Sequence, residues 1–375
     1  MAPPDVNIAL ESLIFRLKRN QIQSGFQVAL ETALLLRQMV SVARWSDINQ
    51  LITQIQKWGS KLIEARPKEF ISGNIVRRVL FLIREEINNA LNDFQEEKTT
   101  YNNHEMYTNI EGNLQRITSS PIYSSMLNLL GKPNDYEPSS SQKPTTRVGV
   151  DLRPILIQGI QDIVDELEKT HTDISAQALD HIHSNEIIMT HGASKTIETF
   201  LRTAAKKRKF TVILAESFPN DHVSSHASIV ALANAGIDAI LIPDAAVFAL
   251  MSRVNKVVLG AHVVFANGGV LVSAGAKNLA AAAKHHATPV VICSGIYKLS
   301  PVYPHNPDSL ITLSSPNNVI PFEQDLIDTI DIINACDDYI PPSMIDLYIT
   351  NLGGHPPSYL SRMIRDHYDP RDIAL

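Results

Sequence analysis

The sequence predicts an α/β protein in two parts: an α-helical domain over 1–183, then a doubly wound parallel-sheet domain over 184–375. Three observations predict it. Apolar residues recur every three or four positions up to about residue 130. From Asn185 onward, short and nearly continuous apolar runs alternate with helical stretches. Between the two patterns lies GKPNDYEPSSSQKPTTR, residues 131–147, rich in proline and serine.

The helical elements come first. In INQLITQIQKWGSKLIEA, Ile48, Leu51, Ile52, Ile55, Trp58 and Leu62 fall on one helical face. The same period runs through 8–18, 26–43, 74–93 and 109–118, with Asp47 and Ser72 placed as N-terminal caps. No strand alternation appears, so this part reads as an antiparallel bundle. The segment 131–147 cannot bury apolar surface and reads as a linker. LRPILIQGIQDIVDELEK (152–169) resumes helix, with Pro154 in its first turn, and a short helix follows at 173–182.

The strands follow: EIIMT (186–190), TVILAE (211–216), DAILIPD (238–244), KVVLGAHVVFA (256–266), PVVICSG (289–295) and IDLYIT (345–350). Most are succeeded by a helical pattern, the last by PSYLSRMIRDHY. Strands apolar on both faces and alternating with helices form a covered parallel sheet. This is a Rossmann-like domain, in which ligands bind beyond the carboxyl ends of the strands.

Composition excludes several classes. The 375 residues are 44% hydrophobic and 19% charged, ordinary globular values, and the net charge of −6 argues against a dedicated nucleic-acid binder. The basic run Lys206-Lys207-Arg208-Lys209 ends a predicted helix, where cations complement the dipole. Cys293 and Cys336 are too few for a disulfide framework and suit a reducing compartment. With no signal-peptide pattern in MAPPDVNIALE and no membrane-length apolar run, the expected location is the cytosol.

The strand-end loops are HGASK (191–195), ESFPNDH (216–222), PDAA (243–246), NGG (267–269) and SGIYKLSP (294–301). None carries a dinucleotide fingerprint, a P-loop or a nucleophile elbow, so no cofactor is expected. His222 and His226 stand four apart, but Val223 occupies the place of a glutamate and no third ligand suggests itself, so no metal is expected. His285-His286 sit at a helix end as dipole partners. Asp244 is at a strand tip as a functional carboxylate or an N-cap, and Lys195 opens a helix that could meet an anion. Between Gly260 and Lys277 only His262, Asn267 and Ser273 can do acid, base or anion chemistry.

THGASKTIETFL, RKFTVILAESFP, DAAVFALMSRVNKVVLGAHVVFANGG, AAKHHATPVVICSGIYKLSPVYP and NLGGHPPSYLSRMIRDHY resemble the regulatory alpha, beta and delta subunits of eukaryotic translation initiation factor 2B. The superfamily includes methylthioribose-1-phosphate isomerases, whose loop is similar to G-A-D-R-V-x-x-N-G-D-x-x-N-K-I-G-T and which carry a catalytic cysteine in T-x-C-N-x-G. Laid on this chain, those patterns put Gly192 at the cysteine and His262 at the catalytic aspartate. Val263 falls at the arginine, Gly269 at the second aspartate and Val272-Ser273 at the Asn-Lys pair, while Gly260, Ala261, Val264, Asn267, Gly268 and Gly275 keep the turn. Isomerisation needs a tuned proton shuttle and fixed phosphate ligands. The resemblance therefore implies a pseudo-enzyme, with an active sugar-phosphate isomerase as the alternative.

It also implies a regulatory subunit of the guanine nucleotide exchange factor for initiation factor 2. The partners would be the alpha, gamma, delta and epsilon subunits in a decamer, and initiation factor 2 through its alpha subunit, whose phosphorylation the core senses. Neither direct nucleic-acid binding nor a membrane is implied. In SGNIVRRVLFLIREEINNAL, Ile75, Val76, Val79, Leu80, Ile83 and Ile87 make a buried face, and Arg77, Arg78 and Arg84 offer a candidate contact for the phosphorylated subunit. Tyr339, Ile340, Tyr348 and Tyr359 form either an interface surface or the packing of the last strands.

Overall fold

Helical periodicity becomes structure in α1 (Pro4–Lys18), α2 (Gly25–Val42), α3 (Ile48–Ala65), α4 (Phe70–Thr108), α5 (Arg153–Ala176) and the short α6 (Ala178–His181). The computed structural model describes residues 4–22, 24–42, 48–108, 152–324 and 329–375, with side chains over 6–22, 24–42, 48–89, 152–324 and 329–375. The candidate cap Asp47, the expected helix 109–118 and the segment 131–147 lie outside them. Contacts divide the chain into one unit of Met1–Ile83 with Leu156–Leu375 and another of Arg84–Ile155.

Within the larger unit, α3 buries Leu51, Ile52, Ile55, Trp58 and Leu62, the stripe its spacing predicts. The start of α4 buries Ile75, Val76, Val79, Leu80 and Ile83 completely. Ser72 is not its cap: α4 already begins at Phe70, so Ser72 lies in the first turn.

The sheet half contains β1 (Ile187–His191), α7 (Lys195–Ala205), β2 (Thr211–Ala215), α8 (His222–Asn234), β3 (Asp238–Ile242), α9 (Val247–Met251) and β4 (Lys256–Gly260). After β4 come β5 (Val263–Val264), β6 (Val270–Ser273), α10 (Ala276–His285), β7 (Val290–Cys293), β8 (Asp337–Ile340), β9 (Leu347–Thr350), β10 (Gly353–His355) and α11 (Leu360–His367). Seven strands form one sheet in the order β10-β9-β7-β4-β1-β2-β3, parallel except for β10. Alternate residues feed two cores: Val257 and Leu259 of β4 face one, Val258 the other. Strand order reverses between β1 and β4, so their carboxyl ends diverge and leave a crevice.

One expected strand is two. KVVLGAHVVFA breaks after Gly260, and β5 leaves the main sheet to join β6 and β8 in a small antiparallel sheet ordered β5-β6-β8. Val263, Phe265, Leu271 and Tyr339 form its own apolar cluster, and Phe70 meets Phe265 edge-on at 5.2 Å. An apolar run does not record which sheet it enters. Most of the expected aromatic surface is buried: Tyr339 and Ile340 in β8 of this sheet and Tyr348 in β9 of the main one, while Tyr359 alone of the four is exposed. The Tyr348 hydroxyl donates to the Gly268 carbonyl at 2.5 Å.

Candidate functional site

The crevice between β1 and β4 opens into a cavity of about 490 Å³. His171, His191, Lys195, His262, Ser273 and Lys298 line it, and its described lining holds no carboxylate. Ser194 precedes α7 without capping it through its side chain, so the first-turn amides of that helix border the cavity beside Lys195. Lys298 donates to the Ala261 carbonyl at 2.7 Å, and burial lowers its ammonium to about 8 although Glu69 pulls the other way. Burial, then Lys298 and Lys195, lower His171, whose Nδ1 lies 3.1 Å from the Thr196 hydroxyl.

Five of the positions that the resemblance aligns with isomerase side chains have a local physical account. Gly192 has φ +64°, a left-handed conformation that a cysteine would adopt only with strain. Val263, at the arginine position, is 2% exposed in the small sheet's core. Gly269, at the second aspartate, lies under Tyr339: a Cβ there would sit 2.1 Å from the tyrosine oxygen. Asn267 fixes that ring by donating to its hydroxyl at 2.7 Å while accepting from the Gly269 amide at 2.8 Å. His262 and Ser273 remain polar, and the structure brings them together: Ser273 Oγ is 3.4 Å from His262 Nε2, and His262 Nδ1 is 3.1 Å from Asp337 Oδ1. Burial raises the Asp337 carboxyl, but His262 and Thr312 more than offset it and hold the net value low. Sequence reading missed Asp337, which lies 75 residues from His262 and is placed only by the β6–β8 register.

Other candidates have structural employment. Asp244 does not cap its own helix; it accepts from the amides of Ser217 at 3.2 Å and Phe218 at 2.9 Å and lies 3.3 Å from His191. Burial raises its carboxyl, yet His191 and these amides bring it net below the usual range. His226 faces Glu216 at 3.6 Å, and no group of three metal-ligating side chains occurs among the described residues. The arginine face is corrected in part. Arg77 and Arg78 are 6% and 8% exposed because the chain's C-terminal residues and α5 cover them. Arg77 donates to the carbonyls of Asp372 and Ile373, and Arg78 pairs with Glu166. Arg84 is half-buried and belongs to the other unit.

The fold and the crevice together define an α/β chain with a helical half, a Rossmann-like sheet half and a basic cavity at the switch point of the sheet. The sequence profile of the Initiation factor 2 subunit family matches residues 21–357, and the chain belongs to that family. It is 51% identical to the translation initiation factor eIF2B subunit beta of Schizosaccharomyces pombe, over 98% of this chain and 97% of that protein. It superposes with a TM-score of 0.68 and 31% identity on a chain of the tetrameric eIF2B-beta2-delta2 complex from Chaetomium thermophilum, covering 97% of this chain and 95% of that one. It is also 30% identical, over 58% of its length and 67% of the other, to the ribose 1,5-bisphosphate isomerase of Pyrococcus furiosus.

Proposed function

We propose that this chain is a beta-type regulatory subunit of the guanine nucleotide exchange factor for initiation factor 2, non-catalytic in that it carries neither exchange nor sugar-phosphate isomerase activity. It works in the cytosol with alpha, gamma, delta and epsilon subunits and helps the complex bind initiation factor 2 and sense phosphorylation of its alpha subunit. The observation that carries the non-catalytic part is the conversion of Val263 and Gly269 into packing positions under Phe265 and Tyr339. A side chain at 269 would meet the Tyr339 ring, and a charged one at 263 would be buried in the small sheet.

The outer edge of the main sheet supports a subunit role. The last strand β3 exposes Ile240 and Leu241, and Phe218, Val223, Val230 and Phe248 are 55% exposed or more in the flanking segments. An apolar patch of this kind beside an edge strand marks an interface. The Chaetomium thermophilum tetramer of beta and delta chains supplies the partner type: a delta chain. The experiment is affinity capture of the tagged chain from its own cells, followed by native mass spectrometry. Expected are assemblies containing delta and gamma chains in equal number with this one. Recovery of the chain alone, or of a homo-oligomer with sugar-phosphate isomerase activity, would overturn the reading.

A further inference from the structure

Ser273, His262 and Asp337 are arranged by the small sheet. Ser273 and Asp337 are register partners across the antiparallel β6–β8 pair, which sets their side chains on one face within reach of a common third group. His262, just before β5, is held there by its amide, which donates to the Leu271 carbonyl at 2.8 Å. Its ring spans the pair, with Asp337 at 3.1 Å on Nδ1 and Ser273 at 3.4 Å on Nε2. A hydroxyl, an imidazole and a carboxylate in that sequence form a nucleophile, its base and the group that orients the base. His262 and Ser273 both line the basic cavity, and so do the uncapped first-turn residues of α7. The end of β1 and the loop before α7 pack closely on Gly260 and Gly275, each two residues from a member of this pair. A Cβ on Gly260 would meet Ser194 Oγ at 2.8 Å, and one on Gly275 would meet His191 Nε2 at 2.6 Å.

We propose that Ser273 is an activated serine that accepts acyl groups from small carboxylic esters entering this cavity. Ser273 Oγ bonds to the ester carbonyl carbon as its proton passes to His262 Nε2. The first-turn amides of α7 and the Lys195 and Lys298 cations stabilise the oxyanion. The carbon–oxygen bond to the alcohol then breaks, and His262 returns the proton to the departing oxygen. A water molecule attacks the acyl-serine, its proton passing to Nε2, and releases the acid and the free serine. Asp337 is a positioning residue that holds the Nδ1–H tautomer. The inference goes beyond the subunit reading and does not rest on it, since two residues standing at degenerate isomerase positions have here acquired each other as partners.

The test uses the full-length chain as purified with its partners, a biotinylated fluorophosphonate as the serine probe and p-nitrophenyl acetate as the ester. Expected is labelling of the peptide bearing Ser273, lost on heat denaturation and absent in Ser273→Ala. His262→Gly should slow labelling by about 100-fold, within the range for loss of a general base. Added imidazole should restore part of that rate, which a purely structural role of His262 would not allow. Asp337→Asn should slow labelling, and p-nitrophenyl acetate hydrolysis should fall in parallel across the variants. Labelling that avoids Ser273, that is equal in denatured protein, or that stays at full rate in His262→Gly would overturn the proposal. Failure of the subunit reading is separately visible, as absence of partner chains from the same preparation.

Discussion

Arg78 of α4 and Glu166 of α5 form a near-buried ion pair, Nη2 to Oε2 2.7 Å, and Asn351 at the end of β9 donates to the same carboxylate at 2.9 Å. Two helices and the sheet therefore meet at one carboxylate. Burial raises Glu166, but Arg78 and Asn351 more than offset it and hold it below its ordinary range. Arg78→Ala should destabilise the chain by about 3 kcal/mol, the usual result of leaving one buried partner alone. The pH dependence has a definite sign. A carboxylate lowered on folding stabilises fully above its unfolded value, about 4.3, and that contribution is lost as pH falls through the folded value. Urea titrations should show the gap between parent and variant wide at pH 7 and narrowing below about pH 4.

Gly269 tests what keeps a side chain out of this turn. Gly269→Asp should cost about 1–3 kcal/mol through overpacking against the Tyr339 ring. Gly269→Asp combined with Tyr339→Ala should cost less than the sum of the two single changes, because the clash is removed. Strict additivity in a double-mutant cycle would show that the ring is not what excludes a side chain at 269.

The helices and the parallel strands were legible because their burial is written in periods of 3.6 and in apolar runs. The carboxyl ends of the strands were legible as the ligand side, but the strand order that puts the crevice between β1 and β4 was not. The small sheet was not legible. Val263 and Val264 look like a continuation of Val257 and Val258, and only the long-range pairing of β6 with β8 shows otherwise. The same pairing buries Tyr339 and brings in Asp337. The arginines misled for a related reason. Arg77 and Arg78 flank an apolar stripe as surface cations do, and the chain end and Glu166 that cover them are remote in sequence.

The outer edge should behave as an interface. Leu241→Lys with Val223→Lys places two charges on exposed apolar positions, so the isolated chain should keep its melting temperature. Affinity for a delta-type partner should fall at least about tenfold, as expected when anchors near an interface centre are replaced. Unchanged partner affinity would move the interface elsewhere.

Pure chain should give no detectable conversion of methylthioribose 1-phosphate or ribose 1,5-bisphosphate. On the proposed alignment Gly192 stands where the isomerases carry a thiol and His262 where they carry a carboxylate, and Asp337 is engaged with that histidine. Proton-NMR of the substrate mixtures over a day provides the measurement. Conversion that disappears in His262→Ala would restore the isomerase reading.

Lys298 supplies the last prediction. Its ammonium is lowered to about 8 by burial, and it donates a hydrogen bond to the Ala261 carbonyl. An unfolded lysine titrates near 10.4, so below about pH 8 both states are charged and the burial penalty acts in full. Between about 8 and 10.4 the unfolded chain holds more protons than the folded one, and stability rises with pH through this lysine. Lys298→Met removes the titration and keeps the apolar stem. Across pH 7.5 to 10.5 the parent should therefore gain on the order of 1–3 kcal/mol relative to the variant, a range that allows for partial solvent access. Denaturant midpoints of the two proteins, taken at intervals across that window, read the difference while cancelling the titrations they share. Parallel curves would mean that Lys298 keeps an ordinary pKa and that the cavity floor is wetter than its lining implies.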